Sequence, residues 1–194
     1  DMEQAETKTL LLELFRRLFE EPGFQAFPHA GVAMQAYHRD TDQDIRALIA
    51  WADRRNCPIT IRLVKGAYWD SDTVRYRQAG WPVPLFEHKA ETDANYEALV
   101  PLLLDHRHII RPAFGTHNLR TLAVIEAVAE SRGCGSETVE YQMIYGMAEP
   151  FQHAMVAHGR RVRLYTPVGR LLPGMAYLVR RLLENTSNES FLRK

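Results

Sequence analysis

The chain has 194 residues, 46% of them hydrophobic, which fits one domain with a single sizeable core better than two domains. Lysine plus arginine and aspartate plus glutamate both number 24, and the absence of a basic tract or aromatic–basic interleaving argues against a nucleic-acid partner. No apolar run is long enough to cross a bilayer and no signal-peptide pattern opens the sequence, although peripheral contact with a membrane stays open.

Hydrophobic periodicity predicts helices and strands in alternation. The first helix covers residues 5–20, with Leu11, Leu14, Phe15 and Leu18 on one face, and Pro22-Gly23 ends it. The predicted strands are Gly31–Tyr37, Pro58–Val64, His108–Thr116, Glu137–Tyr145 and Val162–Pro167. The later helices run from a cap at Asp40-Thr41-Asp42 to about Arg55, then over Thr92–Leu104, Asn118–Arg132 and Pro150–Gly159. Residues 70–91 are predicted to be irregular, and loops of that length tend to be functional.

Apolar strands that alternate with helices predict an α/β fold with a parallel sheet covered by helices. A closed (β/α)8 barrel needs eight strands and about 250 residues, whereas this chain offers about five strands. The first residues, Asp1-Met2-Glu3, look like the end of a strand running into a helix. Either the sheet is open, or the chain is the C-terminal part of a larger barrel, and we expect the second.

Functional side chains in such folds gather where the strands end. Gln35 lies at the end of the first strand, Tyr165 near the end of the last, and Arg62 inside the otherwise apolar second strand. An isolated buried charge is very costly, so Arg62 must be paired or must face a ligand. We expect a functional role for Arg62, with a structural ion pair as the alternative.

Two strand-to-helix junctions carry candidate ligand-binding residues. Lys65-Gly66-Ala67 combines a point charge with a residue that allows close approach, but the spaced glycines of a Walker loop are missing. Thr116 and His117 offer donors to a phosphate at a helix N-terminus, whereas Asn118 is expected to cap that helix. Tyr68 and Trp69 are candidates for stacking on a planar cofactor, with a place in the core as the alternative.

Cysteine and histidine spacing gives no sign of a metal site. Cys57 and Cys134 match neither a disulfide framework nor a zinc pattern, so a reducing compartment, the cytoplasm, is expected. Among the eight histidines only His106 and His108 are closely spaced, and they lie where a predicted strand begins. We therefore predict no bound metal.

Residues 177–185 form a predicted helix with two different faces. Its apolar face carries Leu178, Val179, Leu182 and Leu183, and its polar face carries Tyr177, Arg180, Arg181 and Glu184. An arginine fork holds a carboxylate through two parallel hydrogen bonds, and a neighbouring glutamate would fix one fork. The alternative is a solvated face with weak arginine–glutamate pairing.

Taken together, these segments resemble the proline dehydrogenase domain, especially that of bifunctional proline-utilisation flavoproteins. The matching stretches are Arg62–Ser71, Phe114–Asn118, Tyr145–Met147, Arg163–Gly169 and Tyr177–Asn185, in the family's order. The resemblance implies a distorted (β/α)8 TIM-type barrel, with residues 1–194 as the C-terminal five or so βα units of that single domain. It also implies FAD-dependent oxidation of L-proline to Δ1-pyrroline-5-carboxylate, the first step of proline catabolism, by hydride transfer to flavin N5. Quinone would take the electrons, and a pyrroline-5-carboxylate dehydrogenase domain or partner stays open.

The resemblance also implies roles for individual residues. Arg62 would lie near flavin N5, and Asp1 looks like the aspartate that ends the family's third strand at the active site. The other implied cofactor-binding residues are Gln35, Lys65, Gly66, Ala67, Trp69, Thr92, Thr116, His117 and Asn118. The implied substrate-binding residues are Arg180 and Arg181 as the carboxylate clamp, Glu184 orienting them, and Tyr68, Tyr165 and Tyr177 around the pocket.

The sequence departs from the family pattern at the fourth strand. Tyr145 stands where the family more often has His, and Ile144 and Ala148 replace the commoner Leu and Gly. Two alternatives remain: another FAD barrel oxidoreductase, such as a relative of folate reductases, or a non-catalytic fragment. The paired arginines favour proline, because a clamp for a small carboxylate suits an amino acid.

Overall fold

The computed structural model describes residues 1–170, 172, 174, 175, 177 and 179. A 3-10 turn at Ala5–Thr7 precedes the first helix. The helices are α1 (Lys8–Glu20), α2 (Thr41–Arg55), α3 (Trp69–Gln78), α4 (Lys89–Asp105), α5 (Leu119–Ser131) and α6 (Glu149–Ala157). The strands are β1 (Gly31–Gln35), β2 (Ile59–Val64), β3 (Ile110–Gly115), β4 (Glu140–Ile144) and β5 (Arg161–Tyr165).

The five described strands form one parallel sheet in the order β1-β2-β3-β4-β5, so each strand pairs with the next along the chain. This confirms the predicted α/β class and the parallel sheet. The carboxyl ends of all five strands meet at one edge, where the sequence places most of its candidate residues.

The two faces of the sheet differ in chemistry, because successive side chains of a strand point to opposite sides. One face joins the helices in a single apolar core, to which the strands contribute Val32, Met34, Ile59, Ile61, Leu63, Ile110, Phe114, Tyr141 and Met143. The opposite face carries Gln35, Arg62, Val64, Glu140, Gln142, Arg161, Arg163 and Tyr165. The helices of the core therefore cover one face of the sheet, and the other, polar face is directed towards the candidate site.

Local signals fix the helix boundaries around this core. Asn118 precedes α5, and its Oδ1 accepts the backbone N–H of Thr121 at 3.0 Å, so its predicted capping role is confirmed. Asn56 ends α2 in the left-handed region with φ 51°, a conformation that asparagine tolerates. Tyr96 of α4 is fully buried, and its hydroxyl donates to the Leu63 carbonyl at 3.3 Å, which ties α4 to β2.

Three local predictions are wrong. Residues 70–91 are not irregular throughout, because α3 covers Trp69–Gln78. Helix α1 does not bury the predicted face: Leu11 and Phe15 pack on the core together with Leu12 and Phe19, whereas Leu14 and Leu18 are exposed. Asp40 precedes α2 but makes no side-chain cap; its carboxylate instead pairs with Lys8 Nζ at 2.5 Å. Among the described helices, none is long and apolar enough to cross a membrane.

Candidate active site

Asp1 and Arg62, the two residues expected to be catalytic, are in contact. The Asp1 carboxylate lies 2.7 Å from an Arg62 terminal nitrogen, with the Arg62 side chain 27% exposed. Partial burial lowers the pKa of the Arg62 guanidinium, and the nearby Tyr165 opposes this shift, so Tyr165 lies close to the same cation. The predicted alternative of an ion pair for Arg62 is therefore observed, and its partner is itself a candidate site residue.

Gln35 lies beside this pair at the end of β1. Its Nε2 donates to the carbonyls of Met2 and Glu3 at 3.0 and 3.2 Å, which holds the first residues against the sheet edge. Within the part of the chain that the structure describes, Gln35 Oε1 and Arg62 Nε are both buried without a hydrogen-bond partner. Leaving such a group unpaired costs about 1–3 kcal/mol. One acceptor and one donor are thus available to a ligand with complementary polar atoms.

The loop after β2 brings Lys65 to the same edge. Lys65 Nζ lies 2.5 Å from Asp93 Oδ1, and the other oxygen of Asp93 lies 3.5 Å from Lys89 Nζ. Two lysines therefore share one carboxylate and keep one net positive charge. Thr92, next to Asp93 in the first turn of α4, is buried.

Both the backbone conformation and a neighbouring side chain require glycine at position 66. Its φ of +126° lies in the region that favours glycine, and a Cβ there would come within 2.6 Å of the Tyr37 ring. The close approach expected at Gly66 is therefore made by Tyr37. The adjacent Ala67 is exposed.

Tyr68 and Trp69 lie where α3 begins. The Trp69 indole N–H donates to the Phe86 carbonyl at 2.7 Å, which fixes one edge of the ring. The Trp69 side chain remains 37% exposed, so it is not a core residue. This leaves part of the indole surface available for stacking.

The junction after β3 connects two strand ends. Thr116 is buried, and its hydroxyl accepts the Asn118 backbone N–H at 3.1 Å. His117 Nε2 accepts the Ile144 N–H at 2.9 Å, so a neutral His117 ring carries its proton on Nδ1. The ring thereby joins the end of β3 to the end of β4.

Two aromatic rings meet beyond β5. The ring centroids of Tyr165 and Tyr177 are 5.7 Å apart, and the ring planes are tilted by 37°. The Tyr145 N–H donates to the Tyr165 carbonyl at 3.0 Å, which joins the ends of β4 and β5. Arg180, Arg181 and Glu184 lie outside the described residues, so the predicted carboxylate clamp is not placed.

A charged cluster on the polar face was missed by sequence reasoning. Glu140 is 6% exposed and accepts two bonds from Arg163, at 2.7 and 2.9 Å, and one from Arg161 at 2.7 Å. Gln142 Nε2 donates to the same carboxylate at 2.7 Å. Burial raises the pKa of Glu140, but the bonds from Arg163 and Gln142 and the two guanidinium charges outweigh burial, so the pKa lies below its usual value.

Asp1, Gln35, Arg62 and Tyr165 thus meet at one edge of the sheet, with Lys65 in the following loop. Sequence reasoning missed Tyr37, Asp93 and Glu140, because a single polar residue in a helix, in a loop or at the start of a strand carries no distinctive pattern. Across the described part of the chain, no group of three or more His, Cys, Asp or Glu side chains is arranged to hold a metal ion.

Comparison with known proteins gives a consistent result. A family model described as "Proline dehydrogenase" matches residues 1–194. The bifunctional protein PutA of Escherichia coli is 38% identical over 201 residues, and the proline dehydrogenase of Deinococcus radiodurans is 33% identical over 192 residues. The matches cover 100% and 99% of this chain, but only 15% and 54% of those two proteins.

Solved structures agree. The crystal structure of proline utilization A from Bdellovibrio bacteriovorus, inactivated by N-propargylglycine, superposes with a TM-score of 0.95 at 53% identity. A Bradyrhizobium japonicum proline utilization A structure gives a TM-score of 0.89 at 37% identity. Each superposition covers 100% of this chain and 20% of the other. The chain belongs to the proline dehydrogenase family.

Proposed function

We propose that this chain contributes to the FAD-dependent oxidation of L-proline to Δ1-pyrroline-5-carboxylate. The observation that carries the proposal is the group of Asp1, Arg62 and Gln35 at the carboxyl edge of β1 and β2, in a chain whose whole length matches the family. Buried polar atoms without partners at such an edge are typical of a ligand site rather than of a structural contact.

We also propose that residues 1–194 are the C-terminal part of a single (β/α)8 barrel domain. The described strands follow one another in chain order, and the helices of the core cover one face only. A parallel sheet is ordinarily shielded on both sides, and closure into a barrel shields the second side. The polar face with Glu140 would then line the barrel interior.

FAD fits the residues present at this edge. Gln35 Oε1 is an acceptor and Arg62 Nε is a donor, and neither has a partner among the described residues, which suits the mixed polar rim of an isoalloxazine ring. The chemistry that bound FAD supplies is acceptance of a hydride at N5. Arg62 would place a fixed positive charge beside that atom, and Asp1 would hold the guanidinium in position.

The remaining cofactor-binding residues lie along the same edge and would hold the ribityl and phosphate part. Lys65 and the helix N-terminus after Thr116 offer positive charge and backbone donors, and Trp69 offers an exposed ring surface. The full set is Gln35, Arg62, Lys65, Gly66, Ala67, Trp69, Thr92, Thr116, His117 and Asn118.

For the substrate, we propose that Arg180 and Arg181 bind the proline carboxylate and that Glu184 orients them. A bidentate clamp fixes the orientation of the carbon that loses the hydride. Tyr165 and Tyr177, whose rings lie 5.7 Å apart, would form one wall of the pocket, with Tyr68 near its entrance. Their apolar ring faces suit the proline methylenes.

We further infer that quinone accepts the electrons and that a pyrroline-5-carboxylate dehydrogenase domain or partner uses the product. The name "bifunctional" printed for the PutA relatives supports the second inference. Both cysteines of the described chain are free thiols, which fits action in the reducing cytoplasm.

The test is anaerobic titration of the FAD-reconstituted protein with L-proline. The flavin absorbance should bleach, and Arg181→Met should weaken binding of a proline analogue that keeps the carboxylate by more than about tenfold. Arg170→Met, a change of the same kind at an exposed arginine, is the matched control. A protein that takes up no FAD, or that holds FAD without bleaching, contradicts the proposal.

A further inference from the structure

Tyr37 and Asp72 form a buried hydrogen-bonded pair beside the candidate site, and neither belongs to the residues assigned to that site. Both are 2% exposed. The Tyr37 hydroxyl donates to Asp72 Oδ2 at 3.0 Å, and the same oxygen accepts the backbone N–H of Ala5 at 3.2 Å. A buried carboxylate needs such donors, so Asp72 ties the first residues of the chain and the segment after β1 to helix α3.

Tyr37 also fixes the loop that follows β2. Its backbone N–H donates to the Lys65 carbonyl at 2.9 Å. Its ring lies against Gly66, where a built Cβ would come within 2.6 Å of the ring carbons. The position of the Tyr37 ring therefore sets the position of the Lys65-Gly66 backbone, which belongs to the proposed cofactor site.

Ala5 connects Asp72 to the other half of the site. The segment from Asp1 to Ala5 is held at one end by the Asp1–Arg62 ion pair at 2.7 Å and at the other by the Ala5 N–H bond to Asp72. Gln35 holds the middle through two carbonyls. Loss of the Asp72 bond would free the segment to move, and the Asp1 carboxylate with it.

We propose that Tyr37 and Asp72 are positioning residues that align the Lys65-Gly66 backbone and the Asp1–Arg62 pair for FAD binding and proline oxidation. This inference rests on the proposed function of the same site. In this role both side chains act through the residues that they hold.

The first experiment removes the Tyr37 hydroxyl and keeps its ring. Tyr37→Phe should raise the dissociation constant for FAD about tenfold, because the ring and the glycine loop beneath it lose their anchor. The matched control is Tyr76→Phe, since Tyr76 packs against the same small apolar cluster as Tyr37. Equal FAD affinity in the two variants overturns the proposal, whatever happens to the melting temperature.

The second experiment removes the Ala5 donor. Proline is tolerated at this position, because Ala5 is the first residue of the 3-10 turn and Gln4 before it is extended, with φ −84° and ψ 146°. Ala5→Pro should lower kcat for proline about tenfold while the FAD affinity stays unchanged. A lower melting temperature with unchanged kcat would mean a merely structural role and would overturn this half of the proposal.

Rescue by a conservative change separates positioning from folding. Asp72→Asn keeps a carbonyl acceptor for both donors, so it should retain much more FAD affinity than Asp72→Ala. Equal loss in the two variants, with Asp72→Asn folded, would count against the proposal.

Amide hydrogen exchange provides a readout that does not need the cofactor. In Tyr37→Phe the backbone amide at position 37, which donates to the Lys65 carbonyl at 2.9 Å, should exchange faster than in Tyr76→Phe. In Asp72→Asn the Ala5 amide should exchange no faster than in the wild type. If the wild-type protein takes up no FAD, the proposed function fails, whereas exchange still decides the positioning role. Unchanged exchange of the amide at position 37 in Tyr37→Phe overturns that role.

Discussion

The Asp1 carboxylate lies 2.7 Å from the Arg62 guanidinium, although 61 positions separate the two residues in the sequence. Arg62 lies within a strand whose other residues are apolar apart from Thr60, and its polar side chain points away from the core. Two residues that are far apart in the sequence therefore form one charged pair at the edge of the sheet.

The first prediction concerns this pair. Asp1→Asn removes the negative partner of Arg62, so kcat for proline should fall by about ten- to a hundredfold because the guanidinium is no longer fixed. Thermal stability should change little, since the Asp1 side chain is 61% exposed and such pairs contribute at most about 1 kcal/mol. Glu3→Gln is the control, because Glu3 is exposed and undergoes the same chemical change. Similar kcat values for the two variants would contradict the role given to Asp1.

The second prediction concerns Ala148, which adopts φ 52° and ψ 38° immediately before α6. This left-handed conformation costs an alanine about 1 kcal/mol and costs glycine almost nothing. Ala148→Gly should therefore stabilise the protein by about 0.5–1 kcal/mol in urea unfolding. Ala154→Gly, within α6, should instead destabilise it by about 1 kcal/mol. A loss of stability in both variants would show that Ala148 is unstrained.

The third prediction is a pH dependence at His38. This side chain is 1% exposed, and its burial lowers its pKa from 6.5 to about 4. The charge of Lys8 lowers the pKa further, whereas the charge of Asp40 opposes the shift. The unfolded chain therefore binds more protons than the folded one between these values, and stability falls as the pH drops from 6.5 towards 4. The slope from His38 alone is at most about 1.4 kcal/mol per pH unit.

His38→Phe should flatten this part of the stability curve, measured by urea unfolding at several pH values. Phe is a suitable replacement, because neither ring nitrogen of His38 has a hydrogen-bond partner in the described structure. His153→Gln changes an exposed histidine and should leave the curve unaltered. The same slope in His38→Phe and in the wild type would rule out His38 as the source.

The fourth prediction concerns Glu140. Its pKa is lowered in the folded protein, so the stabilisation from this carboxylate is complete above the usual glutamate pKa of 4.5 and is lost as the pH falls through the lower folded value. Glu140→Gln should destabilise the protein at neutral pH by about 1–3 kcal/mol, because two guanidiniums lose their anion. The destabilisation should shrink in acid.

Circular dichroism during urea unfolding, at neutral and at acidic pH, measures this difference. Glu137→Gln, an exposed change just before β4, is the control. A cost that stays constant with pH would show that Glu140 is already neutral in the folded protein.

The strands were the most predictable part of the fold. Pro58–Val64 was predicted and Ile59–Val64 is observed, because a short run of β-branched residues between turn residues has few alternative structures. Helix α3 was missed for the opposite reason. Its buried residues include Asp72 and Thr73, so hydrophobic periodicity contains no signal for it.

Helix α1 shows a second limit of periodicity. It carries leucine or phenylalanine around most of its circumference, and the sequence alone does not identify the face that meets the core. The structure buries Leu12 and exposes Leu10, Leu14 and Leu18.

The candidate site was partly predictable. A charged residue inside an apolar strand must be paired or must face a ligand, and this requirement identifies Arg62 as a candidate from the sequence. By contrast, Tyr37, Asp72 and Glu140 depend on contacts between residues far apart in the chain, and each stands alone in its own segment. Only the three-dimensional structure shows which residues such side chains contact.

The ion pairs of Glu140 help to set the register in which β5 pairs with β4. This strand has few buried apolar side chains, so hydrocarbon packing hardly distinguishes the correct pairing from a shift by one residue. Such a shift would turn Arg161 and Arg163 towards the apolar core. It would also leave the buried Glu140 carboxylate without its two cationic partners. Charge complementarity thus favours one pairing register of β5 on β4 and makes the registers shifted by one residue unfavourable.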